Sequence, residues 1–262
     1  MRSGFWQDCT TTDFASLDAE RTVALLPVAA VEQHGPHLPL ATDAIINEGL
    51  VRATLALPSA AASLLVLPAM SIGLSTEHVE FPGTLTVADH TLADAWTDVG
   101  RSVARAGVRK LVILNTHGGQ KALVDLVAVR LRAELKMLVV RATYFAFGSP
   151  PGLFAGHELA HDIHGGEVET SLLLHLRPDL VRTEALADFR GLPHELAARN
   201  TWLGAEKPVG IGWLAGDLHP QGVCGNAARA DAKRGAAELA HLAAALSRLV
   251  DEVAATPLAT LR

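Results

Sequence analysis

Cysteine is nearly absent from this chain of 262 residues, with Cys9 and Cys224 the only two. Two thiols far apart in sequence give neither a disulfide framework nor a zinc knuckle, so a reducing cytoplasm is the expected setting. Long apolar runs are missing as well. Pro27, Pro58 and Pro68 interrupt stretches already too short to span a bilayer, and the opening Met1-Arg2-Ser3 leads into polar residues, so neither a membrane span nor a targeting segment is expected. Positive charge is in deficit. With a formal net charge of −6 and Lys and Arg spread along the chain, no footprint for nucleic acid or an anionic membrane is present. No Gly-x-Ser-x-Gly elbow occurs and neither cysteine has a motif-like setting, which argues against nucleophilic Ser or Cys chemistry.

What remains is 49% hydrophobic and 19% charged, the composition of a globular enzyme acting on small molecules. Apolar β-like runs alternate with helical patterns, the signature of βα units and an α/β fold with a central, mostly parallel sheet flanked by helices. One domain over 1–262 is expected. Strands are predicted at Thr22–Ala29, Leu64–Pro68, Lys110–Leu114 and Met137–Tyr144. Helices are predicted at Ala44–Leu57 (stopped by Pro58), from Asp89 as N-cap to Ala106, at Gly119–Leu135, Gly166–Leu176 and Arg229–Val253. Gly148–Asp162, with its Pro150-Pro151-Gly152, reads as a loop or lid, and from Thr183 to Ala228 the pattern weakens.

Five polar segments stand at the ends of apolar runs, where a parallel sheet delivers ligand-binding side chains. They are Glu32-Gln33-His34-Gly35-Pro36-His37, Thr42-Asp43, His78 before Phe81-Pro82-Gly83-Thr84, Asn115-Thr116-His117-Gly118-Gly119, and His164-Gly165-Gly166-Glu167-Val168-Glu169-Thr170. Glu32 and His34, two apart, share one face of an extended backbone. Taken singly, Glu32 and His34 could be solvated turn residues and Thr42 or Asp43 a helix cap. Taken together, these imidazoles and carboxylates are the mixture that two adjacent divalent cations require. His164 and Glu169 would not align on a helix, so Gly165-Gly166 is expected to leave His164 in a loop and Glu169 in the first helical turns. Glu167 competes with Glu169 for the inward role but reads better as a solvated glutamate near a helix start. His37 and His78 are candidate substrate-pocket residues, and His157 and His161 further ones. His90, His175, His194 and His241 read as isolated surface or satisfied core histidines.

These segments, in this order and at these separations, resemble the creatininase (creatinine amidohydrolase) family over residues 20 to 250. The resemblance implies Glu32, Asp43 and His117 on one metal, and His34 and Asp43 on the second, with Asp43 bridging. It also implies a metal-dependent amidohydrolase acting on carbon–nitrogen bonds other than peptide bonds, with a small-molecule amide substrate, and a homo-oligomer, often a homohexamer; zinc, manganese or iron would each satisfy the nitrogen and oxygen donor set. Creatininase supplies a second-metal glutamate two residues after the histidine matching His117, where this chain has Gly119, so Glu169 is the candidate replacement. The substrate-covering tryptophan four residues before the histidine matching His164 is Ala160 here. The substrate therefore need not be creatinine. Relatives that cleave formamides, cyclic amides or a terminal peptide bond, such as a mycofactocin-precursor peptidase, are alternatives, and a metal-binding scaffold is the non-enzymatic one. His164 is the expected proton donor to the leaving nitrogen, with Glu169 beside it as ligand or acid-base partner.

Overall fold

Residues 3–57 and 63–261 are described by a computed structural model, so the expected helix stop at Pro58 lies outside the described residues. The strands are β1 (Gly4–Phe5), β2 (Thr22–Val28), β3 (Ser63–Val66), β4 (Lys110–Asn115), β5 (Leu138–Thr143), β6 (Asp188–Phe189) and β7 (Gly225–Asn226). The helices are α1 (Thr42–Leu55), α2 (Asp89–Arg105), α3 (Lys121–Leu135), α4 (Gly156–His161), α5 (Glu167–Leu176), α6 (Leu192–Arg199), α7 (Ala215–Leu218) and α8 (Ala232–Ala255). Five strands form one parallel sheet in the order β1-β3-β2-β4-β5, and β6 and β7 pair as a small antiparallel ribbon.

Every residue of β2 and β4 is buried, as expected where helices cover both faces of a parallel sheet. Alternate side chains serve opposite layers. Val23, Leu25, Val112 and Leu114 pack with Ile46, Leu50, Leu172 and Leu242 from α1, α5 and α8. Ala24, Leu26, Leu111 and Ile113 pack with Trp96, Val103, Val127 and Leu131 from α2 and α3. Each Leu or Ile so buried stabilises the fold by roughly 1.5–3 kcal/mol. Among the described residues no helix is long and apolar enough to cross a membrane.

The topology fixes where a ligand can sit. From β2 the chain passes to β3 on one side, then crosses through α2 to β4 on the other. That reversal opens a crevice between the carboxyl ends of β2 and β4, the switch point at which open α/β sheets bind ligands. Glu32 to His37 leave β2 there, and Thr116 to Gly119 leave β4 beside them.

Several local expectations are corrected. Asp89 is the exposed first residue of α2, and the cap position falls on Ala88 with no side-chain bond. The last helix starts at Ala232 instead of Arg229, because the Asp231 carboxylate caps it by accepting from the Lys233 and Arg234 N–H groups. The expected lid carries α4 and the buried Phe154. The weak region after Thr183 contains 3-10 turns, α6, α7 and the ribbon, elements too short to show a period.

Candidate metal centre

Asp43 is the second residue of α1 and its carboxylate is not used as a cap. The helix starts after Ala41 with no side-chain cap, and the Thr42 hydroxyl donates to the Pro39 carbonyl at 2.7 Å. Asp43 therefore keeps both oxygens for the crevice: Oδ1 lies 3.4 Å from His34 Nε2 and Oδ2 3.3 Å from His117 Nδ1. Glu32 Oε1 lies 3.1 Å from the same His117 nitrogen. Glu169 Oε2 stands 3.9 Å from His34 Nε2. All five residues are at least 94% buried, from a relative exposure of 1% at Glu32 to 6% at Glu169, too little for hydration to explain them.

The outer ring nitrogens are already committed. His34 Nδ1–H donates to the Glu32 carbonyl (3.1 Å), His117 Nε2–H to the Leu74 carbonyl (2.9 Å), and His164 Nε2–H to the Gln33 carbonyl (2.7 Å). Each ring so pinned turns its other nitrogen inward, the arrangement by which a backbone acceptor fixes the tautomer of a metal-binding histidine. Glu32 Oε2, His34 Nε2 and Asp43 Oδ2 are buried without a hydrogen-bond partner. Buried polar atoms normally find one. Three orphaned atoms from two segments meeting at one point fit divalent cations, and the donors group into sets that could hold an ion: Glu32, Asp43 and His117; His34, Asp43 and Glu169; and Glu32, His34 and His164.

The electrostatics describe the same competition for positive charge. Burial opposes protonation of His34, but Asp43, Glu169 and Glu32 overcome it and raise its pKa to about 9. Burial likewise opposes protonation of His117, and Glu32 and Asp43 carry its pKa well above the usual value. Burial works against the Asp43 carboxylate, yet the His34 and His117 rings bring its pKa down to about 2. Glu169 is raised, chiefly by burial. Protons thus occupy, in the metal-free chain, the inner nitrogens that a cation would take.

Local structure explains how α5 contributes. His164 lies in the loop and Glu169 in the first turns of the helix, as its sequence implied. Gly165 between them has φ +66°, and its N–H donates to Glu169 Oε2 at 2.7 Å. A side chain there would also collide with Val223, so glycine is needed for conformation and for space. Tyr144, the one tyrosine of the chain, donates its hydroxyl to Glu169 Oε1 at 3.2 Å. Glu167, two residues earlier and so on the opposite side of α5, is fully buried where solvent exposure was expected. Arg234 and Arg229 of the segment packed against α5 pair with it, which is what compensates its burial.

The two expected pocket histidines separate. His78 reaches the centre: Gln33 donates an amide N–H to its Nδ1 at 2.8 Å, leaving Nε2–H 3.4 Å from Glu32 Oε1. Burial pushes its pKa down to about 4. His37 is buried with its Nε2–H directed at the Gly165 carbonyl and Thr170 Oγ1, both at 3.0 Å, and its ring stacks on Phe189. It braces the Gly165 turn instead of lining a pocket. His157 is exposed on α4, and His161 stacks on His194.

Sequence reasoning missed Glu77. Its carboxylate lies 3.5 Å from His117 Nε2 and fills the space that a side chain at Gly119 would need, since a Cβ there would sit 1.6 Å from Glu77 Oε1. Burial raises its pKa. The available signal was its place beside His78 in a polar loop, paired with the bare Gly119 opposite. Gln33 was passed over too, although its amide links His78 to the Gly222 carbonyl (2.6 Å).

Comparison with known proteins agrees with this geometry. The family description creatininase, creatinine amidohydrolase, matches residues 7–250. A mycofactocin precursor peptide peptidase from Mycobacterium tuberculosis is 37% identical over 166 residues, 61% of this chain and 61% of that protein. The chain thus aligns with about three-fifths of that relative's length. The peptidase of the same name from Mycobacterium ulcerans is 34% identical over 195 residues, 71% of this chain and 72% of the relative. A creatinine amidohydrolase from Pseudomonas putida is 32% identical over 192 residues, 66% and 72% of the two chains. Among solved structures, a candidate creatinine amidohydrolase from Bacteroides fragilis superposes with TM-score 0.77 at 26% identity over 98% of both chains. A manganese form of creatininase gives TM-score 0.73 at 25% identity over 96% of this chain and 98% of its own. Matched over nearly its whole length and in its central sheet, the chain belongs to the creatininase family of hydrolases.

Proposed function

We propose that this chain is a metal-dependent amidohydrolase that uses two divalent cations to cleave a C–N bond of an amide. The observation that supports it most is the convergence of buried imidazole nitrogens and carboxylate oxygens into sets that could hold an ion, with Glu32 Oε2, His34 Nε2 and Asp43 Oδ2 left without a hydrogen-bond partner. Glu32, Asp43 and His117 would hold one cation and His34, Asp43 and Glu169 the other, with Asp43 shared. Zinc, manganese or iron suits such a nitrogen and oxygen set. The solved relatives include a manganese form and a variant of Zn–Zn type. Cations bound there would supply Lewis acidity, polarising a carbonyl and acidifying a water.

The chain's own residues do the rest. The Tyr144 hydroxyl and the Gly165 N–H fix both oxygens of Glu169, and the Gln33 amide fixes the His78 ring. His164, pinned through Nε2, has Nδ1 free 3.8 Å from Glu32 Oε1. Burial and the neighbouring histidines hold its pKa well below the usual value, so Nδ1 rests unprotonated, and we assign it the relay of a proton from the attacking water to the leaving nitrogen. Burial of the cluster keeps bulk water from screening these charges.

For substrate, an amide other than creatinine is favoured, with a peptide bond as the alternative reading. The peptidases are 33–37% identical and the creatinine amidohydrolase 32%. Glu77 also occupies the volume above Gly119 from which creatininase's own ligand would come. A homo-oligomer working in the cytoplasm is consistent with the two free cysteines and with the exposed Trp202 and Val209. The test is a panel of short peptides, cyclic amides, formamides and creatinine given to metal-loaded and chelator-treated protein, with products identified by mass. Metal-dependent release of an amine or amino acid is expected, with creatinine turned over poorly. Two bound cations and no hydrolysis of any amide would favour the scaffold alternative. His164→Asn should keep its metal and lose about 10²–10⁴-fold on an amide but far less on an activated ester. Equal losses on both would reject the acid role, and loss of metal would make His164 a ligand.

A further inference from the structure

The loop from Thr201 to Leu214 lies outside every motif described so far, yet it brings an indole to the centre. Trp213 meets the His78 ring edge-on, with centroids 6.4 Å apart and planes at 78°, and His78 Nε2 is 3.4 Å from Glu32 Oε1. Three restraints hold Trp213 in place. One side packs against the small apolar cluster of Ala205, Leu218 and Cys224, against which Ile163, immediately before His164, also packs. Its Nε1–H donates to Glu206 Oε1 at 3.1 Å. Glu206 Oε2 in turn pairs with Lys121 Nζ at 3.3 Å, at the first residue of α3, two positions after Gly119. The loop closes on itself through the Gly204 N–H to Val209 O and Ile211 N–H to Ala205 O bonds, so Glu206 is presented from a formed turn.

We propose that Trp213 is a specificity-determining residue of the hydrolytic site, forming the wall against which an aromatic or flat apolar group next to the scissile amide packs, with Glu206 as its positioning residue. The proposal rests on the metal-dependent reading above. Its chemistry follows from the indole's bonding. The one polar atom of the ring is already taken by Glu206, so the half-buried remainder can offer a substrate only apolar and π contact.

Hydroxamates chelate divalent cations and so provide probes of equal metal affinity that differ in what they present to the wall. Manganese-loaded protein is titrated calorimetrically with acetohydroxamic acid and with phenylacetohydroxamic acid. The phenyl compound is expected to bind about tenfold more tightly, the gain of burying one ring against another. Trp213→Ala should shrink that ratio to within about threefold while acetohydroxamate affinity stays unchanged, and Trp213→Phe should retain most of it. Glu206→Ala should lower the ratio and Glu206→Gln, which can still accept from the indole, should restore it. An undiminished ratio in Trp213→Ala, or no preference in the unaltered protein, overturns the proposal. Failure of both hydroxamates to bind overturns the metal-dependent reading itself, and the proposal with it.

Discussion

The two ends of β4 hold buried polar groups of opposite meaning. At its start, Lys110 is fully buried, but its ammonium donates to the Glu20 and Ala254 carbonyls at 2.5 and 2.8 Å and lies 3.6 Å from the Glu20 carboxylate. It ties α8 to the sheet. Beyond its other end, His117 is buried as deeply, and its inner nitrogen faces two carboxylates of which one oxygen each is unpartnered. Burial and charge are common to both ends, and only satisfaction separates them: a buried polar group with its partners is architecture, whereas convergent groups without partners imply something still to bind. Within α5 the difference is one of neighbours instead: Glu167 pairs with Arg229 and Arg234, whereas Glu169, held by the Tyr144 hydroxyl and the Gly165 N–H, faces the cluster.

The largest effect should come from Asp43→Ala, which removes the carboxylate common to both proposed cations. Metal content should fall from two per chain to near none, and amide hydrolysis should drop beyond the roughly 10²–10⁴-fold typical of losing one acid-base group. Loss of a single equivalent would show that Asp43 serves one site only. Next, Glu169→Gln should lower metal content and activity together, while Glu167→Gln should leave metal content intact and lower the melting temperature. The reverse pattern would exchange the roles assigned to the two sides of α5.

At the architectural end, Lys110→Met keeps the chain's bulk but strands two carbonyls. It should cost about 1–3 kcal/mol in denaturant unfolding without changing metal stoichiometry. A change in bound metal would refute the separation of the two ends.

The smallest and most graded effect is that of pH on the metal-free protein. Because the folded pKa of His34 is raised to about 9, its pairing with Asp43 stabilises fully below about 6.5 and is lost as pH rises through about 9. Asp43, lowered to about 2, gives its share above about 3.8 and loses it as pH falls through about 2. Metal binding must displace the protons on His34 and His117, so manganese affinity should rise over the same alkaline range in which metal-free stability declines. Melting curves and metal titrations from pH 6 to 10 would check both, and parallel trends would contradict the account.

Much of the centre was legible in the sequence because its donors sit in polar runs where apolar strands end, a position that parallel topology alone makes meaningful. Glu32, His34, Asp43 and His117 were singled out by that position and proposed as ligands, with Glu169, by the family resemblance, and the parallel sheet followed from the alternation of apolar runs and helical patterns. Glu77, Gln33 and Trp213 were not, since each acquires its role from a contact more than 30 residues distant, with His117, Gly222 and His78 respectively. Lys110 read as an ordinary strand residue, because nothing local announces that Ala254 will return to cover it. The burial of Glu167 was misjudged for the same reason: its arginines arrive 62 and 67 residues later. His37 was grouped with His78 as a pocket candidate, whereas the turn at Gly35 and Pro36 sends its ring to Gly165.

The most direct measurement is anomalous scattering from crystals soaked in manganese. The account predicts two peaks per chain, roughly 3.5–4 Å apart, flanking the Asp43 carboxylate, one beside Glu32 and His117 and the other beside His34 and Glu169. A single peak enclosed by Glu32, His34 and His164, with Asp43 unengaged, would contradict it.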